Sequence, residues 1–186
     1  MVKVAVLLAD GFEEIEALTV VDVLRRAEID CQMIGFEQEV IGSHGITVKS
    51  DQVWSGSLAD FDGIVLPGGM PGAANLRDHD GLIQELKEAR IEGKILAAIC
   101  AAPIVFDQAG LLEGKNFTCY DGFEQEIGNG HYLKKAVVQY GRILTSRWPA
   151  TALAFAYALV NQFGGDASKL REGMLSVSYT HLTLPT

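Results

Sequence analysis

Cys100 stands between the apolar run Ile95-Leu96-Ala97-Ala98-Ile99 and the stretch Ala101 to Ala109, which suits a helix. A side chain on a sharp strand-to-helix turn is lifted out of the sheet. It also lies near the first N–H groups of the following helix, whose partial positive charge favours a thiolate. This is nucleophile-elbow geometry with Cys in place of Ser and without the GxSxG glycines. The competing reading is a small core cysteine, since free Cys is among the most buried residue types. Glu16 is the second reactive candidate. On a wheel of about 100° per residue it falls inside the apolar stripe of Val20, Val23, Leu24 and Ala27, with Asp22, Arg25 and Arg26 on the other side. A buried carboxylate is costly unless paired or protonated. Burial raises its pKa and lets it donate a proton to, or share one with, a neighbouring thiolate. The competing role is capping amides at the helix start, alongside Glu13 and Glu14.

Gly68 and Gly69 follow a strand-like segment ending at Leu66. Small residues there let backbone N–H groups approach a ligand closely. An oxyanion hole built from the Gly69 and Ala101 amides fits this placing; a plain tight turn is the other reading. The segment Pro67 to Gly72 contains neither GKS/GKT nor GxGxxG, so a phosphate cradle is unsupported. Arg147, just after Ile143 to Ser146, is placed to bind an anionic substrate group or to form a surface ion pair. His44, His79, His131 and His181 show no HExxH or similar spacing, and no metal site is expected.

The elements that must position these residues can be read from hydropathy. Val2 to Leu8 is a nearly unbroken apolar run with one Lys, as in a parallel strand covered on both faces. A helix pattern runs from about Glu13 to Ala27. Further strands are expected at Cys31 to Phe36, Asp62 to Leu66 and Lys94 to Ile99, with a short edge piece at Ile46 to Lys49. A helix fits Leu82 to Ile91 and stops at Gly93. Tyr140-Gly141 turns a hairpin between residues 136–138 and 143–145. Thr151 to Phe163 is a helix closed by Gly164-Gly165. Strands alternating with helices predict a three-layer α/β sandwich around a mostly parallel sheet.

The chain has 186 residues, a length that suits one domain. That domain is expected over 1–177. Residues 178–186 have no helical period and no turn logic, and read as a frayed or non-native tail. Lys plus Arg number 15 against 24 Asp plus Glu. The resulting net charge of −9 argues against nonspecific nucleic-acid or anionic-membrane partners. No apolar stretch reaches the roughly 18 residues of a membrane span, and no signal-peptide core opens the chain. Cys31, Cys100 and Cys119 are an odd set without CxxC spacing, which suggests reduced thiols in the cytoplasm.

Four segments then fall into one register: Gly11-Phe12-Glu13-Glu14-Ile15-Glu16, Leu66 to Leu76, Ala98 to Pro103, and Leu144-Thr145-Ser146-Arg147. Together they resemble the ThiJ/PfpI superfamily, in the branch of the Parkinson-disease deglycase and its bacterial relatives, from about Met1 to Phe163. The resemblance implies a flavodoxin-like sandwich, similar to class I glutamine amidotransferases, and a homodimer. It implies an elbow cysteine at Cys100 hydrogen-bonded to a protonated Glu16, with oxyanion donors at Gly69 and Ala101. The implied activity is of glyoxalase III type: conversion of methylglyoxal to lactate without a cofactor, or deglycation of early glyoxal adducts. The alternative is a redox-sensing or chaperone-like stress protein that uses oxidation of Cys100. Peptidase activity is disfavoured, because Ala101 stands where the protease-like members place His. The loop Thr118-Cys119-Tyr120-Asp121 lacks a His found in some glyoxalases, Trp148 and Ala150 replace glycines, and His44 stands where human-like members carry a pocket arginine.

Overall fold

A computed structural model describes residues 1–176. The tail reading at 178–186 lies outside the described residues. In chain order the first half comprises β1 (Lys3–Leu8), α1 (Glu14–Arg26), β2 (Asp30–Gly35), β3 (Glu39–Ile41), β4 (Thr47–Lys49), β5 (Gln52–Val53), β6 (Gly63–Leu66), α2 (Gly72–Arg77) and α3 (Asp80–Ile91). There follow β7 (Ile95–Ile99), α4 (Pro103–Gln108), β8 (Asn116–Phe117), β9 (His131–Tyr132), β10 (Val137–Tyr140), β11 (Ile143–Ser146), α5 (Ala152–Gln162) and α6 (Ala167–Gly173).

Seven strands make one sheet in the order β10-β11-β7-β6-β1-β2-β5. All neighbours are parallel except β10, which closes an antiparallel hairpin onto β11 in the register Val137↔Ser146 to Tyr140↔Ile143. The hairpin turns at Gly141, whose φ of +61° is open to glycine without steric cost. Side chains leave β1 alternately to two cores. Val4, Val6 and Leu8 pack under α1 and α5, while Ala5 and Leu7 pack toward α2, α3 and α4. That period of two, buried on both sides, is why β1 reads as an unbroken apolar run. The result is a flavodoxin-like three-layer sandwich.

From β1 the chain steps outward to β2, and the β6–β7 half is laid down on the other side of β1. The carboxyl ends of β1 and β6 therefore flank a topological switch point, where open α/β sheets form their crevices. Two expectations differ in detail, and one helix is additional. Ile46 to Lys49 does not edge the main sheet, because β4 pairs with β3 in a separate two-stranded sheet. Helix α2 was not read, since six residues opened by Gly72 carry too little periodicity to register. The helix after Cys100 starts at Pro103, not Ala101, because proline fixes the first helical φ and needs no N–H partner.

Candidate active site

Cys100 is the residue directly after β7 and has φ of +64°. A non-glycine in this left-handed region costs of order 1–3 kcal/mol and persists only where its surroundings over-determine it. Here its N–H donates to the Ser146 carbonyl at 3.0 Å, and its carbonyl accepts from the Tyr120 N–H at 2.8 Å. The elbow is thus clamped between β11 and the loop after β8. The side chain is buried but not sealed, at 8% exposure.

Glu16 lies in the first turn of α1 and is fully buried, with its neighbours Ala17 and Val20 in the core. Its Oε2 accepts the Gly68 N–H at 2.8 Å. The Cys100 thiol is in side-chain contact with the same carboxyl, yet Oε1 has no partner at full hydrogen-bond geometry. A loose contact of this kind is common for catalytic pairs before substrate tightens them. Burial pushes the Glu16 carboxyl up to about 7, against the Cys100 thiol and the Gly68 N–H, which pull it down; the Glu13 charge adds to the rise.

Burial, then the charge of an ionised Glu16, also pushes the Cys100 thiol up, while the Gly69 and Ala101 amides pull it down. This corrects the expectation that a helix N-terminus makes a resting thiolate. Helix α4 begins three residues beyond the sulfur, so its dipole acts from farther away and desolvation wins. Cys100 and Glu16 compete for one proton. When Glu16 holds it, the repulsion that raises the thiol disappears.

Both amides named from sequence, Gly69 and Ala101, lie near enough to Cys100 to pull its thiol down, and neither makes a full hydrogen bond to the sulfur. Gly68 makes that approach possible. A Cβ there would stand 2.6 Å from Cys100 Cβ and 2.8 Å from Glu16 Oε2, inside any tolerable contact. Gly69 has φ of +84° and packs against the Glu13 backbone.

Arg147 forms an ion pair, one of its two readings, with a buried guanidinium, at 6% exposure, and an exposed carboxylate. Its Nη2 donates to Asp121, and its guanidinium sits 4.3 Å from the Trp148 ring centroid. Asp121 also accepts the Tyr132 hydroxyl at 2.9 Å and faces Lys134 at 3.5 Å. The cation is thus already engaged within the protein, and only Nε is buried without a partner. Asp121 carried no signal in the sequence, because nothing local marks a partner 26 positions away.

The loop matching the glyoxalase histidine supplies no equivalent base. Burial pushes the Cys119 thiol up to about 12, and Tyr120 serves through its backbone N–H. Glu14 also went unread as a structural group. Its carboxylate accepts the backbone N–H groups of His44 at 2.8 Å and Ile46 at 3.4 Å, and meets the His44 ring at 2.9 Å. Burial works to raise Glu14, but these donors, the His44 ring foremost, bring it down to about 2. Glu13, Glu14 and His44 are the group of possible metal ligands found among the described residues, within 4.8 Å of one another. The Glu14 oxygens are already spent on locking the turn from Ser43 to Ile46.

A thiol elbow backed by a buried carboxyl, at the switch point of a flavodoxin-like sheet, defines a class of cysteine-centred α/β proteins. The chain belongs to the DJ-1/PfpI family, which matches residues 2–162, in agreement with the four motifs. Among its relatives are DJ-1 homologues. It is 38% identical over 169 residues to Protein DJ-1 homolog B of Arabidopsis thaliana, covering 88% of this chain but only 38% of the plant protein's length. It is 36% identical over 178 residues to Protein dj-1beta of Drosophila melanogaster, covering 91% of this chain and 95% of the fly protein. A solved structure of oxidized Toxoplasma gondii DJ-1 superposes with a TM-score of 0.89 at 35% identity, covering 94% of this chain and 98% of that one. No helix among the described residues is long and apolar enough to cross a membrane.

Proposed function

We propose that the protein is a cofactor-free, cysteine-dependent enzyme of the glyoxalase III or deglycase type, converting small α-oxoaldehydes such as methylglyoxal to hydroxy acids. The observation that carries this reading is the packing of Cys100, the buried Glu16 carboxyl and the Ala101 amide around the one point that a Gly68 Cβ would fill, with Cys100 on an elbow at φ of +64°. An ionised Glu16 takes the thiol proton as Sγ adds to the aldehyde carbon. The two amides hold the oxyanion of the hemithioacetal. Glu16 passes that proton to the hemithioacetal oxygen, and, ionised again, removes the proton from the first carbon and returns one to the second through an enediol, leaving a thioester. Water hydrolyses the thioester, releasing the hydroxy acid and restoring the thiol. The sum is one aldehyde plus one water to one hydroxy acid, with no external oxidant. Cysteine suits the step because it is nucleophilic near neutral pH and leaves easily.

The same proposal places the chain in the cytoplasm as a homodimer. Three free cysteines suit a reducing compartment. Exposed Ile15, Ile41, Ile46 and Met70, on segments around the site, offer apolar surface to a second copy.

One observation favours a second reading, redox sensing at Cys100. Glu16 Oε1 lacks a partner and, when protonated, would donate to an oxygen on an oxidised sulfur. Steady-state loss of glyoxal and methylglyoxal, set beside peptide mass spectrometry after mild peroxide, separates the two. Turnover dependent on Cys100 is the expected result. A gain of two oxygens at Cys100 alone, with no aldehyde turnover, would favour sensing and end the enzymatic proposal.

A further inference from the structure

We propose that a second cavity, beyond the carboxyl ends of β1 and β2, binds a small primary ammonium ligand carrying an apolar or single-ring body. The cavity holds about 280 Å³. That lies just below the roughly 300–1,000 Å³ of sites for drug-sized ligands, so its occupant is of single-ring size. Cys100 and Glu16 do not line it.

Its chemistry is divided by depth. Leu8 and Val40, both core residues, form an apolar floor. Phe36 and His79 form an aromatic wall, stacked at 4.4 Å between centroids and 18° between planes. Trp54 braces that wall edge-on, 5.8 Å from Phe36 and 5.7 Å from His79. The wall is therefore rigid before any ligand arrives. Its histidine does not repel a cation, because His79 Nδ1 accepts the Leu82 N–H at 3.0 Å, which leaves that nitrogen unprotonated.

The rim carries Asp10, Glu37 and Asn75, and no lysine or arginine lines the cavity. Asp10 is held in place, with Oδ1 accepting the Ile41 N–H at 2.9 Å and its carbonyl accepting from the Asn75 side chain at 2.9 Å. Two carboxylates above an apolar, aromatic hollow select a cationic head with a hydrophobic tail. A free carboxylate or phosphate ligand would meet like charge on the rim. The position agrees with the general preference of open α/β sheets for ligands beyond strand carboxyl ends.

The test uses benzylammonium at neutral pH and benzyl alcohol as its neutral counterpart, titrated into the whole protein and followed by backbone amide shifts. Neither probe has a carbonyl for Cys100 to attack, so the outcome does not depend on the proposed reaction. Benzylammonium should bind saturably and move the amides of Ala9, Val40, Asn75 and His79. Benzyl alcohol should bind at least about three- to five-fold more weakly, as should benzylammonium to Glu37→Gln, in keeping with a partly exposed ion pair. Asp10 braces the β3 backbone, so Glu37 is the variant of choice, and the neutral probe needs no variant. Equal binding of the two probes, shifts confined to other parts of the protein, or no saturable binding of benzylammonium would each overturn the assignment.

Discussion

Replacing Cys100 with Ser is expected to lower kcat/KM for methylglyoxal by at least about 10²-fold, the scale at which positioned proton transfer and an activated nucleophile contribute. The hydroxyl is nearly isosteric with the thiol, and the elbow is held by backbone bonds to Ser146 and Tyr120. The fold should therefore survive and the loss should be chemical. A serine hydroxyl gives up its proton far less readily than a thiol, and an alkoxide leaves an acyl carbon less readily than a thiolate. Thermal unfolding of the variant checks that structure is retained while turnover is lost. Activity within a few-fold of wild type would remove Cys100 from the reaction.

Glu16→Gln should cost a comparable factor, about 10²-fold or more, and should also change how stability depends on pH. With its carboxyl raised from 4.5 to about 7, the native state binds more protons than the unfolded chain between those values. Stability then falls as pH rises through that window. The glutamine variant has no proton to lose, so it should match wild type near pH 5 and exceed it above pH 7 by roughly 2–4 kcal/mol. Wild-type kcat/KM should rise with pH through an apparent value near 7 that belongs to the Cys100–Glu16 pair, and the variant should lack this limb. A residue that only filled space would yield no such opposition between stability and turnover. Denaturant unfolding at pH 5 and pH 8, beside pH–rate profiles, reads both effects.

The parts of the structure legible in the sequence are those with a clear period or a local punctuation mark. β1 and β7 announce themselves because both faces of each strand are buried, and α1 because its apolar stripe repeats over thirteen residues. Glu16 stands out as a charge inside that stripe. The elbow follows from the succession of strand, Cys100 and turn. What escaped detection depends on long-range pairing. The strands β8 and β9 are two residues each, too short for alternation. The Asp121–Arg147 pair joins a loop to a strand end, so the sequence leaves an ion pair and a substrate anion both open for Arg147 and does not show which acid is its partner. Glu14 looked like a helix-start acid, whereas its partners come from the turn after β3. The thiol's ionisation is not legible in the sequence, because proximity to a helix is visible there and the depth of burial is not.

In the proposed reaction Cys100 and Glu16 move hydrogen between adjacent carbons as a proton. Methylglyoxal turnover in D₂O, with the lactate examined by proton NMR, separates this from a direct hydride shift. Lactate should carry deuterium at its second carbon, and should form with wild type and not with Cys100→Ser, because a proton resting on Glu16 exchanges with solvent. Lactate that retains the original aldehyde hydrogen at that carbon, or no lactate above the protein-free rate, would contradict the proposed reaction.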